Sequence, residues 1–305
     1  MNEVKRAPFG ALQVTNGRLT DKNGNTVQLK GISTSGLQWY PEYVNKETFA
    51  FLQETMHINV IRLAMYTAEK GYCELDDQGK AEMEKLIVKG VKAAGELGLY
   101  VLVDWHILAD GNPNQYKQEA ITFFEHMSKE FSNLEHVIYE ICNEPNGNVN
   151  WADIQKYATE IIPVIRKNAP ESVVIVGTPT WSQEVDKPKA DPLPFDNLMY
   201  ALHFYAATHK ESLRNVMKDA LDEGLPIFVT EFGICDASGD GELDLMEADK
   251  WITLMNEYDI SYCIWNLSNR DEAAALIRKD CNKIKDLSFE EWNPEGQWFL
   301  QLMER

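Results

Sequence analysis

The stretch Glu140-Ile141-Cys142-Asn143-Glu144-Pro145 directly follows an apolar run, residues 136–139, that is typical of a buried strand. Pro145 cannot donate to a sheet ladder, so we expect the strand to end before it. Asn143 and Glu144 therefore stand at the open end of this strand. An Asn-Glu pair at the open end of a strand, followed by a proline that stops the ladder, predicts chemistry rather than packing.

A second glutamate, Glu231, stands in an equivalent place, at the end of the strand-like run 226–230. Two carboxyl groups held face to face supply a proton donor and a nucleophile, which hydrolysis of a glycosidic bond requires. The sequence thus predicts that the rest of the chain brings Glu144 and Glu231 together.

Short runs rich in Val, Ile, Leu and Tyr recur along the chain, with helical patterns between them. Turn signals at Asn16-Gly17 and Asn23-Gly24 predict an N-terminal β-hairpin within residues 12–30. Eight strands that alternate with helices predict a closed α/β fold, the (β/α)8 TIM barrel. The rival, a doubly wound open sheet, is disfavoured because no Gly-rich phosphate loop follows the first strand. The predicted strands are 27–33, 60–66, 99–105, 136–142, 173–178, 198–204, 226–231 and 261–266, and the helices are 46–56, 79–96, 115–131, 150–168, 210–222, 246–258 and 294–304.

The composition of the 305 residues is that of a globular protein, 44% hydrophobic and 25% charged, with a net charge of −19. An acidic protein repels phosphate backbones, so no nucleic-acid partner is expected. No apolar run approaches the roughly 20 residues of a membrane span, so no membrane partner is expected either. Five scattered cysteines without CxxC or CxxH spacing support neither a zinc site nor a dense disulfide framework.

In a barrel of this kind the active site lies at the carboxyl ends of the strands. Side chains alternate along a strand, so Glu140 should point into the barrel one layer below Glu144. Arg62 is its expected partner and has enough donors to reach Glu231 as well. Nearly every predicted strand ends in a hydrogen-bonding or stacking side chain: Arg62, Tyr66, Asp104, His106, Asn143, Glu144, Trp181, His203, Tyr205, Glu231 and Trp265.

Taken together, these motifs resemble glycoside hydrolase family 5, and more closely the bacterial endo-β-1,4-glucanases (cellulases) of its second subfamily. The resemblance runs from about residue 12 to the C-terminus, and the order and spacing of the motifs make it specific. The motifs are Arg62, Asp104-Trp105-His106, Asn143-Glu144-Pro145, His203-Phe204-Tyr205, Thr230-Glu231-Phe232-Gly233 and Trp265-Asn266-Leu267-Ser268.

The resemblance implies a retaining endo-β-1,4-glucanase in which Glu144 is the acid/base and Glu231 the nucleophile. We expect Arg62 to lower the pKa of Glu231, and partial burial beside another anion to raise that of Glu144. By the same resemblance, four residues support catalysis or hold sugar hydroxyls near the reacting bond: Asn143 on the 2-hydroxyl, Tyr205 on the nucleophile, His203 on the acid/base and His106 on a sugar hydroxyl. The remaining substrate-binding residues that it implies are Trp39, Tyr66, Trp181, Trp265, Arg270 and Glu272.

One departure from the family pattern is Ser35, which stands where relatives usually have His. The residues also allow other functions: a mannanase or xylanase on the same barrel, a non-catalytic sugar-binding barrel, and a metal-dependent hydrolase. The metal ligands would be Asp104, His106 and His203. Residues 236–247 have the spacing of a calcium loop, although a turn that caps the next helix fits better because a strand precedes them.

We expect residues 1–305 to form a single catalytic domain, with the barrel at about 27–305 and no carbohydrate-binding module. The expected partner is a β-glucan polysaccharide, without cofactor or metal, and the expected state is a monomer. Residues 1–6 lack the apolar core of a signal peptide. The protein is then either cytosolic or a mature domain whose leader has been removed, and we expect the second, a secreted protein.

Overall fold

The computed structural model describes residues 7–304, so the expectation for residues 1–6 lies outside the described part. Eight of its strands, β3 to β10, are parallel and close into a barrel in which β10 pairs with both β3 and β9. The predicted TIM barrel is therefore confirmed. The strands are β1 Leu12–Thr15, β2 Arg18–Asp21, β3 Lys30–Thr34, β4 Val60–Tyr66, β5 Tyr100–His106, β6 Val137–Glu140, β7 Val174–Val176, β8 Leu198–Tyr205, β9 Ile227–Gly233 and β10 Tyr262–Leu267.

Helices surround the barrel, and each predicted helix is present with ends that differ by at most two residues. Within residues 7–304, no helix has both the length and the apolar composition needed to cross a bilayer. The loop at 236–247 caps the next helix as predicted, because the Asp244 carboxylate accepts from the Glu247 N–H. The helices are α1 Lys46–Met56, α2 Asp77–Leu97, α3 Lys117–Glu130, α4 Trp151–Asn168, α5 Pro179–Ser182, α6 Asp186–Ala190, α7 Glu211–Asp222, α8 Leu245–Glu257 and α9 Pro294–Met303.

The N-terminal hairpin closes one end of the barrel. Its two-residue turn, Asn16-Gly17, has positive φ at both positions, 52° and 73°, which matches the right-handed twist of the flanking strands. Leu12 and Leu19 join the same buried cluster as Val60, the first residue of β4. The hairpin thus seals the amino ends of the strands, opposite to the end where the site is expected.

The barrel interior is layered, and the layers change in chemistry along the strands. The amino-terminal layer is apolar and includes Leu102 and Phe228. The layer above it holds charged side chains that are fully buried, among them Arg62 and Glu140. The carboxyl ends carry the polar and aromatic side chains that the sequence singled out.

An irregularity in β9 changes which side chains point into the barrel. Ala201 of β8 pairs with Phe228 of β9, whereas His203, two residues on, pairs with Glu231, three residues on. One extra residue on β9 is the pattern of a β-bulge, which occurs often beside active sites. The result is that Thr230 and Glu231 both face the interior, although strict alternation would turn one of them away.

Gly177 lets the segment that carries Glu144 approach the end of β7. A Cβ atom at Gly177 would clash with the carbonyl oxygen of Cys142 and lie 2.9 Å from the Pro145 ring. Backbone atoms cannot give way as a flexible side chain can. The position of the Asn143-Glu144-Pro145 segment therefore depends on the absence of a side chain at residue 177.

We predict that Gly177→Ala lowers the free energy of unfolding by about 1–3 kcal/mol, because the added methyl group overpacks this contact. Urea denaturation measures the change. Gly79→Ala, in the first turn of α2, is the control, since its nearest contact is the Leu75 Cβ atom at 3.0 Å and alanine favours a helix. Equal stability of the two variants would contradict the prediction.

Candidate active site

The carboxyl ends of the strands open into a cleft of about 1020 Å³. Of the strand-end and substrate-binding residues predicted for the site, all except Arg62, Asp104 and Asn143 line this cleft, and those three are fully buried beneath its floor. The lining residues that were predicted are Trp39, Tyr66, His106, Glu144, Trp181, His203, Tyr205, Glu231, Trp265, Arg270 and Glu272.

Glu144 and Glu231 face each other at the bottom of the cleft. One carboxyl oxygen of each lies within 4.8 Å of the other and of a ring nitrogen of His203. Both glutamates are nearly buried, at 7% and 4% exposure. Residues from distant parts of the sequence thus converge as predicted, with the surface that remains open directed into the cleft.

Arg62 is the cation on which this floor is built. Its Nε and Nη2 atoms donate to the two oxygens of Glu140 at 2.7 and 3.3 Å, which confirms the predicted pair. Nη1 donates to Glu231 Oε2 at 3.2 Å, and Nη2 lies 2.9 Å from Asp104 Oδ2. Burial opposes the charge on Arg62, but the three carboxyl groups outweigh it and raise the pKa of the guanidinium.

The pKa values of the two glutamates are shifted by different groups. Burial raises the pKa of Glu144 to about 8, and the anions Asp104 and Glu140 add to this against the opposing effect of Arg62. The expected rise is confirmed. Arg62 lowers the pKa of Glu231 as expected, but the net shift is upward, because burial and the Glu144 charge raise this pKa more than His203 and Arg62 lower it.

Hydrogen bonds still favour the charged form of Glu231 over that of Glu144. Glu231 Oε1 accepts from the Tyr205 hydroxyl at 2.8 Å, while Oε2 accepts from Arg62, so both oxygens face donors. Glu144 Oε1 instead lies 2.9 Å from Nδ1 of His203, whose pKa is lowered to about 4, chiefly by burial. A cation and a hydroxyl stabilise one carboxylate, and a neutral ring contacts the other.

Asn143 is held entirely by the protein. Its Oδ1 accepts from Arg62 Nη2 at 2.6 Å, and its Nδ2 donates to the Ile107 carbonyl at 3.1 Å. The same amide nitrogen lies 3.2 Å from His106 Nε2, and His106 Nδ1 lies 2.6 Å from Asp104 Oδ2. Asn143 therefore orients His106, while its predicted contact with a sugar hydroxyl stays a prediction.

Aromatic rings form the walls of the cleft. The rings of Trp39 and Tyr66 are 4.9 Å apart, and Trp265 stacks on His106 at 5.2 Å. Trp181 is 45% exposed, with its backbone N–H bonded to the Pro145 carbonyl oxygen. Flat apolar faces beside hydrogen-bonding groups suit sugar rings, which have both kinds of surface.

The outer part of the cleft contains the predicted pair Arg270 and Glu272, whose side chains lie 3.1 Å apart. Sequence reasoning assigned no role to Thr230 or Ser33, although Thr230 contacts His203 at 2.8 Å and Ser33 accepts from Arg62 at 3.2 Å. Ser35 is buried and does not line the cleft. Other lining residues that sequence reasoning missed are Tyr40, Glu69, Leu108, Gln183, His209, Ala237, Ser238 and Gly239.

The metal-ligand set considered from the sequence is not the set that converges. Asp104 and His106 are bonded to each other and to Arg62 and Asn143, whereas His203 faces Glu144. Among residues 7–304, the side chains whose ligand atoms come close enough for one ion are Glu144, His203 and Glu231. These three are already linked into the hydrogen-bonded network of the site.

A parallel barrel with two facing glutamates at the bottom of an aromatic cleft defines a glycoside hydrolase. The family model described as cellulase (glycosyl hydrolase family 5) matches residues 20–271. The chain is 46% identical to Endoglucanase A of Butyrivibrio fibrisolvens over 302 residues, 98% of this chain and 70% of that protein. It is 47% identical to an endoglucanase of Clostridium saccharobutylicum over 270 residues, 88% of this chain and 59% of that protein.

Solved structures agree with the family match. The catalytic domain of the Thermobifida fusca endoglucanase Cel5A, in complex with cellotetraose, superposes with a TM-score of 0.91 at 38% identity. The match covers 97% of this chain and 98% of that domain. The chain belongs to glycoside hydrolase family 5, the cellulase family, and is an enzyme of that class.

We predict that Arg62→Lys lowers the free energy of unfolding by about 3 kcal/mol, because one ammonium group cannot serve the same acceptors and leaves buried charges unpaired. Urea denaturation measures this loss. Arg18→Lys is the matched control, since Arg18 pairs with Asp259 at an exposed site and should change stability little. A loss for Arg62→Lys no greater than that for Arg18→Lys would contradict the central place of Arg62.

Proposed function

We propose that this chain is a retaining endo-β-1,4-glucanase in which Glu144 is the acid/base and Glu231 the nucleophile. The observation that carries the proposal is the approach of their carboxyl oxygens to within 4.8 Å. Retaining glycosidases hold the two carboxyl groups roughly 5–5.5 Å apart, whereas inverting enzymes leave roughly 6.5–9.5 Å for a water molecule.

The first step forms a covalent glycosyl-enzyme. Glu231 attacks the anomeric carbon while Glu144 gives its proton to the leaving glycosidic oxygen. The raised pKa of Glu144, about 8, keeps that proton in place near neutral pH. Arg62 and Tyr205 donate to Glu231, which favours its ionised form and orients it for the attack.

The second step returns the enzyme to its starting state. Glu144, now a carboxylate, takes a proton from a water molecule, which attacks the anomeric carbon and releases Glu231. The two substitutions at one carbon leave the product with the anomeric configuration of the substrate. The side chains at the floor provide the acid, the base and the nucleophile for both steps.

The proposed substrate is an internal stretch of a β-1,4-glucan chain. Aromatic side chains line the cleft, with Trp39 and Tyr66 in contact with each other and Trp181 on the separate segment α5. Such a cleft contacts several sugar rings at once. Two relatives are endoglucanases and the Thermobifida fusca domain binds cellotetraose, which supports a β-1,4-glucan as the substrate.

We also propose that residues 1–305 act as one catalytic domain, as a monomer and outside the cell. The net charge of −19 supports the monomer, because like charge opposes self-association. A polysaccharide substrate, which is too large to cross a membrane, supports action outside the cell.

We predict that Glu144→Gln and Glu231→Gln each lower kcat on carboxymethylcellulose by at least about 100-fold, since each removes a group needed at the reacting bond. On 2,4-dinitrophenyl cellobioside, whose leaving group needs no proton, Glu144→Gln should still release a burst of dinitrophenol and Glu231→Gln should not. Glu242→Gln, in an exposed loop, is the control. A burst from Glu231→Gln and none from Glu144→Gln would reverse the assigned roles.

We predict faster hydrolysis of carboxymethylcellulose than of mannan or xylan, measured as reducing ends released under the same conditions. Proton NMR of the first products from cellotetraose should show the β-anomer before mutarotation, as retention requires. A preference for mannan would favour the mannanase alternative. Initial formation of the α-anomer would exclude the retaining mechanism.

A further inference from the structure

Thr230 is drawn into the site by the bulge in β9. It is fully buried, and its hydroxyl lies 2.8 Å from Nε2 of His203 and 2.7 Å from Oε1 of Glu140. His203 in turn places Nδ1 2.9 Å from Glu144 Oε1. A continuous chain of hydrogen bonds therefore joins Arg62-bound Glu140 to the proposed acid/base.

The direction of each hydrogen bond in this series follows from the charge state of Glu140, the residue at its buried end. Glu140 accepts from Arg62 on both oxygens, which favours its carboxylate form, and a carboxylate only accepts. The Thr230 hydroxyl must then donate its single proton to Glu140. With that proton used, the Thr230 oxygen can only accept from His203, so Nε2 carries the hydrogen.

The tautomer of His203 then decides the bond to Glu144. A neutral ring with its hydrogen on Nε2 presents a lone pair at Nδ1. A lone pair cannot donate, so the hydrogen between Nδ1 and Glu144 Oε1 belongs to the carboxyl group. The opposite tautomer would donate from Nδ1 and would stabilise Glu144 as a carboxylate.

We propose that Thr230 is a positioning residue that fixes His203 in the tautomer with hydrogen on Nε2 and thereby holds Glu144 in its protonated form. The proposal rests on the role of Glu144 as the acid under the proposed function. It adds that Glu140 and Thr230, through His203, keep Glu144 protonated in addition to the effect of burial.

Other titratable groups act on the same carboxyl group and are the background against which the effect is measured. Asp104 and Glu140 raise the pKa of Glu144, and Arg62 lowers it. Glu140 Oε1 lies 3.9 Å from His203 Nε2, too far to replace the Thr230 hydroxyl as its acceptor. The charged or titratable groups that face Glu144 and His203 from neighbouring strands are Arg62, Tyr66, Asp104, His106, Glu140, Tyr205 and Glu231.

The test compares Thr230→Val, which keeps the shape but removes the hydroxyl, with Thr230→Ser, which keeps the hydroxyl. In the unaltered enzyme, kcat/KM on cellotetraose should fall above the Glu144 pKa of about 8. We expect Thr230→Val to move this alkaline limb about one pH unit lower, about a tenfold loss above it, since the tautomer that favours the carboxylate becomes accessible. Thr230→Ser should keep the alkaline limb at the pH of the unaltered enzyme.

Two controls separate positioning from general damage. The burst with 2,4-dinitrophenyl cellobioside needs no acid, so Thr230→Val should leave its rate within about twofold of that of the unaltered enzyme. An alkaline limb that stays in place, or a burst that falls along with it, overturns the proposal. If Glu144→Gln fails to show the acid-deficient pattern, the proposed function itself is wrong, whatever Thr230→Val does.

Nitrogen-15 NMR of the six histidines tests the tautomer without any catalysis and without substituting Thr230. The His203 signals, assigned by their loss in His203→Gln, should show a protonated Nε2 and an unprotonated Nδ1 at neutral pH. Hydrogen on Nδ1 in the unaltered enzyme overturns the proposal even if Thr230→Val does not fold.

Discussion

One buried guanidinium holds this active site together. Arg62 extends from β4 into the barrel and contacts side chains from four other strands, including Glu140 and Glu231. A charge at zero exposure is costly unless it is paired, and so is each carboxylate around it. The pairing therefore constrains the barrel, because the strands must keep the register that brings Arg62 and these carboxylates together.

The consequence for chemistry is that neighbouring carboxyl groups acquire different properties. Those bound to Arg62 have a cation to stabilise their charge, whereas Glu144, above them, has a neutral imidazole. In the proposed mechanism, the proton donor and the nucleophile are thus distinguished by the groups that lie beneath them, although their carboxyl oxygens are within 4.8 Å of each other. Burial alone does not do this, because burial raises the pKa of both.

Much of this arrangement was open to prediction from residue order. The alternation of strands and helices gave the barrel, because eight such units have few other ways to bury two-sided apolar strands. The strand ends gave the lining of the cleft, and alternation gave the pair between Arg62 and Glu140. These inferences succeeded because they depend on local periodicity and on a rule that holds for every strand of a barrel.

The sequence by itself determined the barrel, its catalytic end and the identity of the facing glutamates. Only the tertiary structure decided that Thr230 points inward, since the bulge arises from the pairing of β8 with β9. It also decided that the pKa of Glu231 is raised, because burial and the charge on Glu144 outweigh the nearby cation. Periodicity is a property of one segment, whereas register, burial and charge coupling exist only when segments are packed together.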